Sequence, residues 1–170
     1  EVKHIVLGVS ASLGLIDEAA RRGADVVLVH HGWFWKGESP RIAGVKGCRI
    51  RHLMQSGMHL VGYHLPLDAH ETVGNNAELA RLLGLTIESR HGEYGLLHVG
   101  EIISGAMLAA DFAQRVNAAL GRAPLLVGDA QKIVRRIGWC SGAAQDELAA
   151  AAALGCDLYL SGEIREHTTF

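Results

Sequence analysis

Long apolar runs are missing from this sequence of 170 residues, because no stretch approaches the roughly 20 residues that a membrane helix requires. Blocks of one charge are also missing, since 16 basic and 18 acidic residues are interspersed and give a net charge of −2. The chain opens directly on a strand-like pattern, EVKHIVLGV, and on this pattern we expect no secretory signal. We therefore predict no membrane partner, and nothing in the charge pattern demands a nucleic acid.

Cysteines are few, and the three present (Cys48, Cys140 and Cys156) form no Cys-x-x-Cys pair. An odd number without such spacing predicts reduced, mostly buried thiols and a cytoplasmic protein. The sequence also lacks the P-loop pattern Gly-x-x-x-x-Gly-Lys-Ser/Thr and any run of phosphate-binding basic residues. It therefore carries no sign of a dedicated guanine or triphosphate pocket.

What the sequence does contain is an alternation of strand and helix patterns, with 49% hydrophobic residues overall. Strands are predicted at residues 2–9, 25–29, 59–63, 133–139 and 157–160. Helices are predicted at residues 13–22, 45–56, 75–83, 106–120 and 143–154. This alternation predicts an α/β fold with mainly parallel sheets, and residues 88–105 are expected to form a small antiparallel insertion.

An internal repeat appears when the chain is shifted against itself by 132 positions, with eight identities in about 30 positions. The shift aligns two strand–helix–Gly-x-Asp–strand segments. A shared βαβ skeleton explains such a match as well as a true duplication does, and both interpretations stay open. In either case the frame puts His30-His31 and Gly162-Glu163 at equivalent strand ends, the edge where ligands bind in open α/β sheets.

Two adjacent histidines, His30 and His31, follow the apolar residues 24–29. Neighbouring side chains on a regular strand point to opposite faces, so we expect both histidines just past the strand end. There the two imidazoles can turn toward two metal ions. The alternative is that one histidine caps the strand while the other is exposed.

A second polar segment, GYHLPLDAHETVGNN, follows the predicted strand 59–63 and puts His64 four residues before Asp68. Pro66 is expected to stiffen this turn and to disfavour a helix. One asparagine of residues 74–76 is expected to cap the next helix. Imidazoles with a carboxylate suit a general acid–base pair or a divalent metal, and zinc, iron, manganese and nickel all fit.

The aromatic residues 33–35 are expected to wall this site or to fill an interface, and Lys36 is expected in a solvated loop. Five further histidines share no ligand spacing with the two segments. We interpret these five as ordinary surface or core residues: His52, His59, His70, His91 and His98.

Three segments together resemble the YbgI branch of the Nif-three-like proteins, often named GTP cyclohydrolase 1 type 2 homologs. They are VHHGWFWKGESP, GYHLPLDAHETVGNNAELARLLG and CDLYLSGEIREHT, and the resemblance covers nearly the whole chain in order. It implies two related and intertwined α/β lobes, residues 1–84 and 85–170, with a dinuclear metal site between them. It also implies a ring-shaped homohexamer and a full protein with further segments at both ends.

By the same resemblance His30, His31 and Asp68 match metal ligands, and two divalent transition-metal ions are expected. His64 matches a histidine adjoining the site, and Glu163 falls in a Gly-Glu motif beside the metals. The family adds a histidine and a bridging glutamate from a segment that would follow residue 170. The ligand set within this chain is therefore expected to be incomplete.

These residues and the resemblance lead to a metal-dependent hydrolase of unknown small-molecule or nucleotide substrate, in which His64 and Glu163 shuttle protons. The alternative is a non-catalytic, metal-binding ring scaffold or regulator. A hydrolase acting on nucleic acid is disfavoured by the slightly acidic charge. For Glu163 alone, a competing interpretation is that it begins a helix and gains from the helix dipole.

Overall fold

The computed structural model of the chain describes residues 1–169. The strands are β1 (Ile5–Ser10), β2 (Val26–His31), β3 (His59–Gly62), β4 (Ser89–His91), β5 (Leu97–Glu101), β6 (Met107–Leu108), β7 (Ile133–Val134), β8 (Arg136–Cys140) and β9 (Leu158–Ser161). The helices are α1 (Leu13–Arg21), α2 (Gly44–Gln55), α3 (Leu65–Asp68), α4 (Asn75–Leu83), α5 (Ala109–Leu120) and α6 (Leu148–Ala153). Short 3-10 turns lie at Glu93–Gly95, Gln145–Glu147 and Glu166–Thr168. Within residues 1–169, no helix has the length and apolar character that crossing a membrane requires.

Internal contacts divide the chain into two compact units, Glu1–Leu67 and Asp68–Phe170. Each unit has its own core of buried apolar side chains, which is why the contacts separate in this way. These units are defined by contacts within this chain, whereas the lobes predicted from the resemblance belong to the full-length protein. The predicted lobe boundary between residues 84 and 85 therefore stays a prediction.

The first unit is built on a fully parallel sheet of order β1-β2-β3, as predicted. Residues from β2 and from the two helices α1 and α2 form its core, and Ile16 and Val27 have no exposed surface. One face of β1 is not covered in this chain, since Leu7 and Val9 are 70% and 69% exposed. Parallel sheets are normally covered on both faces, so this open face is unusual.

The second unit is built on a mixed sheet of order β4-β5-β8-β9. The expectation of mainly parallel sheets is wrong here, because β5 pairs antiparallel with both β4 and β8, and only β8 and β9 are parallel. The antiparallel strands β4 and β5 lie within the segment that was expected to form an antiparallel insertion. Large side chains from α5 and β8 fill the core, with Trp139 completely buried and Phe112 2% exposed.

The internal repeat of the sequence is also a repeat of backbone pairing. Strands β1 and β2 pair parallel with Ile5 opposite Val26, and β8 and β9 pair parallel with Ile137 opposite Leu158. Both members of the second pair are displaced by 132 residues from those of the first. The two βαβ segments therefore share one register, which an unrelated pair of βαβ units need not do.

In each copy of the repeat, an aspartate accepts hydrogen bonds from the backbone at the start of the first strand. The Oδ2 atom of Asp25 accepts the backbone N–H groups of Lys3 and His4, at 2.7 and 2.8 Å. The Oδ2 atom of Asp157 accepts those of residues 135–136, both at 2.9 Å. The two hydrogen bonds lower the pKa of Asp25. Burial raises the pKa of Asp157, but its two hydrogen bonds and the charges of Lys132 and Arg136 together outweigh burial, and the net pKa is lowered.

Glycines turn the chain from each repeat helix toward this aspartate. Gly23 follows α1 with φ of 66°, and Gly155 follows α6 with φ of 76°. This left-handed conformation is strained for residues with a side chain, and it is common for glycine at the end of a helix.

The three cysteines are free thiols, in agreement with the sequence. Cys140 is buried and Cys156 partly buried, and burial raises the pKa of both thiols. Cys48 is exposed, so the expectation of mostly buried cysteines is wrong for this residue.

Candidate metal centre

His30 and His31 are the last two residues of β2, not residues beyond its end as we expected. The strand continues because β1 still pairs with it, with Ser10 opposite His31. On the other side pairing stops earlier, at Val29 opposite Gly62 of β3. The two histidines therefore extend past one neighbouring strand while the other neighbour supports them.

His64 joins these two histidines from the loop that follows β3. Its ring centroid lies 4.8 Å from that of His30 and 5.1 Å from that of His31, while the rings of His30 and His31 are 4.6 Å apart. One ring nitrogen from each histidine lies within 4.8 Å of the other two, and all three residues are partly buried. The parallel alignment of β2 and β3 produces this cluster, because it brings both carboxyl ends to one edge of the sheet.

The donor set of this cluster fits a divalent transition metal. Zinc binds imidazole nitrogen at about 2.0–2.1 Å in tetrahedral geometry, so two nitrogens on one ion lie about 3.4 Å apart. The ring nitrogens of the cluster lie within 4.8 Å of one another, so the rings must turn toward each other to bind one ion. Imidazole nitrogens suit zinc, iron, nickel and copper, so the cluster alone does not select one ion.

Asp68 is the last residue of α3, a single helical turn that begins directly after His64. The expectation that Pro66 disfavours a helix is wrong, because Pro66 lies in the first turn, where its missing N–H is not required. Asp68 belongs to the second compact unit, is 7% exposed, and its Oδ1 accepts a hydrogen bond from the Asn75 side chain at 2.8 Å. Sequence reasoning did not identify Asn75 as the partner of this carboxylate.

The expectation of an asparagine cap for α4 is also wrong, because Gly74 is the N-cap and provides no side-chain bond. Asn76 is completely buried instead. Its Oδ1 accepts the N–H of Ser141 at 2.7 Å, and its Nδ2 donates to the carbonyl of Leu96 at 3.0 Å. Asn76 therefore links three segments of the second unit, and its role there is structural.

Glu163 lies just past β9, and the shared register makes it the counterpart of His31. Its side chain is exposed, and its backbone N–H donates to Oγ of Ser161 at 3.4 Å. Residues 163–165 are not helical, so the interpretation of Glu163 as the start of a helix is wrong. The cluster in the first unit consists of His30, His31 and His64, and Glu163 belongs to the second unit.

The histidines interpreted as ordinary include one fully buried ring. His98 is 1% exposed, its Nδ1 is 3.1 Å from the carbonyl of Leu96, and burial lowers its pKa. Its ring packs against Trp139, with centroids 5.5 Å apart. His98 is therefore a core residue, in agreement with the interpretation from the sequence.

Trp35 is a site residue that the sequence pointed to only as part of an aromatic wall. Its ring centroid lies 5.8 Å from that of His31 and 5.2 Å from that of His64. Trp33 points elsewhere, since its Nε1 donates to the carbonyl of Ala11 at 2.8 Å. Phe34 is 65% exposed. Of residues 33–35, Trp35 is thus the one whose ring packs on the histidine cluster.

Comparisons with known proteins agree with this fold. The family model described as Duf34/NIF3 (NGG1p interacting factor 3) matches residues 1–170. A "GTP cyclohydrolase 1 type 2 homolog" of Pseudomonas aeruginosa is 48% identical over 170 residues, covering 99% of this chain and 67% of the relative. A protein of the same name from Escherichia coli strain K12 is 46% identical over 168 residues, covering 98% of this chain and 67% of the relative.

A solved structure described as "protein ybgI, unknown function" superposes with a TM-score of 0.89 at 44% identity. The match covers 99% of this chain and 68% of that structure. The chain therefore spans about two thirds of the length of the relatives it matches. The fold, the match over the whole chain and the identity to these relatives lead to one conclusion: the chain belongs to the Duf34/NIF3 family.

Proposed function

We propose that this chain is part of a protein that binds two divalent transition-metal ions and hydrolyses a small-molecule or nucleotide substrate. The observation that carries the proposal is the convergence of His30, His31 and His64, whose donor atoms lie within 4.8 Å of one another. The name shared by the bacterial relatives, GTP cyclohydrolase 1 type 2 homolog, supports a hydrolytic reaction. The sequence has no P-loop pattern for binding phosphates, so we do not assign GTP itself as the substrate.

In this proposal His30, His31 and Asp68 hold the ions. Divalent ions of this kind lower the pKa of water and polarise carbonyl, imine or phosphoryl groups. The chain's own contribution is to present imidazoles at one sheet edge and to orient the carboxylate of Asp68 through Asn75. A carboxylate that is already oriented loses less side-chain entropy when it binds an ion.

His64 and Glu163 are the residues that we propose to hold or move protons. The ring of His64 lies only 0.2–0.5 Å farther from those of His30 and His31 than they lie from each other, so it also qualifies as a third imidazole ligand. The variant His64→Gln separates the two roles. A ligand would cost metal content, whereas a proton carrier would leave metal content unchanged and alter the pH profile of turnover.

The experiment that tests the hydrolase is a substrate panel run on the whole protein with metal added and with metal chelated. The panel should contain nucleotides, cyclic amides and imines, and phosphate esters, because these groups respond to polarisation by a bound cation. Hydrolysis that depends on metal and is lost in His31→Ala supports the proposal. A protein that is loaded with metal and inactive toward the whole panel contradicts it.

The alternative function is a metal-binding scaffold or regulator that assembles into a ring, which we propose as a homohexamer in the cytoplasm. The open face of β1 favours self-association, since Ile5, Leu7 and Val9 are 51%, 70% and 69% exposed. Light scattering on the full-length protein tests the assembly, and a clean monomer would contradict the ring. Metal analysis alone does not separate scaffold from enzyme, because both bind metal.

A further inference from the structure

The loop after β2, residues 32–39, brings the indole of Trp35 onto two of the three clustered histidines. The indole plane makes angles of 54° with the ring of His31 and 80° with that of His64. Tilted and edge-on contacts at these centroid distances of 5.8 and 5.2 Å are favourable aromatic arrangements. Because each imidazole is in contact with the indole, the position of Trp35 restricts the rotation of both rings.

Apolar packing alone does not hold this loop in place. A cleft of about 470 Å³ is lined by residues 32–34 on one side and by Ile50 and Leu53 of α2 on another. Phe34 has φ of 68°, a left-handed conformation that is costly for a residue with a side chain. Such a conformation persists only where surrounding contacts determine it.

Those contacts come from Lys46 of α2 and Glu38 at the end of the loop. The Nζ atom of Lys46 lies 3.0 Å from Oε2 of Glu38, donates to the carbonyl of Ser39 at 3.1 Å, and stands 4.8 Å from the ring centroid of Phe34. The side chain of Lys46 is only 16% exposed, so these contacts are partly shielded from water. Lys46 also lowers the pKa of Glu38 and keeps it charged.

Glu38 connects Lys46 to Trp35 through two hydrogen bonds. Its carboxylate accepts the backbone N–H of Trp35 at 3.2 Å, while the backbone N–H of Glu38 donates to the carbonyl of Trp35 at 3.0 Å. The ion pair with Lys46 therefore fixes the backbone of Trp35 and, through it, the place of the indole.

We propose that Lys46 and Glu38 are positioning residues of the metal centre, which hold Trp35 against His31 and His64 so that both imidazoles are ordered before an ion arrives. The inference rests on the proposed function insofar as the cluster binds metal. Ordering ligands in advance removes an entropic cost from the binding step, so the loss of the ion pair should weaken metal affinity.

The direction in which metal affinity changes in a Lys46 variant separates a positioning role from a purely electrostatic one. Lys46→Met keeps the length of the side chain and removes a positive charge near a cation site. Coulomb's law alone predicts tighter metal binding in this variant, whereas the loss of positioning predicts weaker binding. Lys36→Met is the matched control, because Lys36 is an exposed lysine of the same loop and its replacement changes the charge alone.

The experiment is a titration of Co²⁺ into the apo form of the whole protein, followed by calorimetry and by tryptophan fluorescence. We expect affinity about tenfold weaker for Lys46→Met than for Lys36→Met, at the lower end of losses seen for groups that orient metal ligands. Lys46→Arg keeps the ion pair and should restore affinity. The quenching of Trp35 by Co²⁺ is obtained by subtracting the signal of the matching variant that also carries Trp35→Phe. At saturating Co²⁺ this quenching should be smaller in Lys46→Met than in wild type.

The double variant Glu38→Gln with Lys46→Met separates the loss of the ion pair from the change in net charge. It restores the wild-type net charge without restoring the ion pair, so affinity should stay low. Recovery of wild-type affinity in the double variant, or affinity in Lys46→Met equal to or tighter than in Lys36→Met, would overturn the inference alone. Wild-type protein that binds no Co²⁺ would overturn the proposed function and this inference together.

Discussion

The two copies of the repeated βαβ segment have the same register, but their first strands, β1 and β8, differ in burial. Leu7 and Trp139 occupy equivalent positions, yet Leu7 is 70% exposed while Trp139 is completely buried. The difference follows from what covers each sheet face, since Trp139 packs in a core with Phe112 and Val116 of α5, whereas the face of β1 that carries Leu7 is open. Backbone pairing thus determines which residues are equivalent, and the surrounding elements determine what each residue does.

The strand ends differ for the same reason. In the first copy His30 and His31 end the central strand of a sheet, and the next strand, β3, leads to His64. In the second copy Gly162 and Glu163 follow β9, an edge strand, and no further strand in residues 1–169 lies beyond it. In the first copy the ends of two neighbouring strands, β2 and β3, therefore both contribute histidines to the cluster.

Loss of metal is the largest effect that we expect. Replacing His31 by Ala should remove at least one ion from the whole protein, as measured by elemental analysis. His59→Ala is the control, because His59 is an exposed histidine of the same unit outside the cluster. An unchanged metal content in His31→Ala would remove His31 from the ligand set.

The comparison of Leu7 with Trp139 predicts the next largest effect. Trp139→Ala should lower the free energy of unfolding by about 3–5 kcal/mol, because it leaves a cavity in the core and removes the indole bond to the carbonyl of Asn76. Leu7→Ala should change it by no more than about 0.5 kcal/mol. Urea unfolding followed by circular dichroism measures both. An equally large loss for Leu7→Ala would show that assembly covers the open face of β1.

Glu163 and His31 are equivalent positions with different predicted roles. Glu163→Gln should weaken metal binding or turnover by about 10- to 100-fold without removing the ions, because a group beside the metals orients the ligands. Titration of metal into the apo forms of the variant and the wild type measures the change. Glu166→Gln is the control, since it removes a nearby exposed carboxylate. Equal affinity and equal turnover in Glu163→Gln would exclude Glu163 from the site.

The smallest expected effect concerns the pH dependence of stability. The pKa of Asp157 is lowered in the folded state, so its charge contributes stability above the unfolded pKa of about 3.9 and loses it as pH falls through the folded pKa. The difference in unfolding free energy between wild type and Asp157→Asn should therefore shrink from pH 6 to pH 3. Asp25→Asn should behave alike in the other copy. A difference that does not vary with pH would show that the charge is not responsible.

Much of the fold could be predicted from local pattern. The order of the main strands and helices follows from apolar periodicity, and left-handed glycines such as Gly23 follow from the ends of those helices. The convergence of His64 with His30 and His31 follows from the rule that parallel strand ends meet at one sheet edge. These features depend on residues close in sequence or on general topology.

Other features could not be predicted because they depend on contacts through space. The extension of β2 to His31 depends on where β1 and β3 stop pairing, which periodicity does not contain. The bond from Asn75 to Asp68 depends on the turn between them. Pro66 does not prevent helix α3, because the cost of proline applies to a helix interior, whereas this helix is one turn long.

The aspartate at the start of each repeat has a consequence for design. Asp25 and Asp157 act at the amino ends of their strands, while the residues that differ in chemistry, His31 and Glu163, lie at the carboxyl ends. A one-residue slip would turn every side chain of a strand to the wrong face, and the aspartate opposes such a slip far from the variable end. In each copy the aspartate therefore holds the strand pairing at the amino end. The residues at the carboxyl end can be replaced in design without altering that pairing.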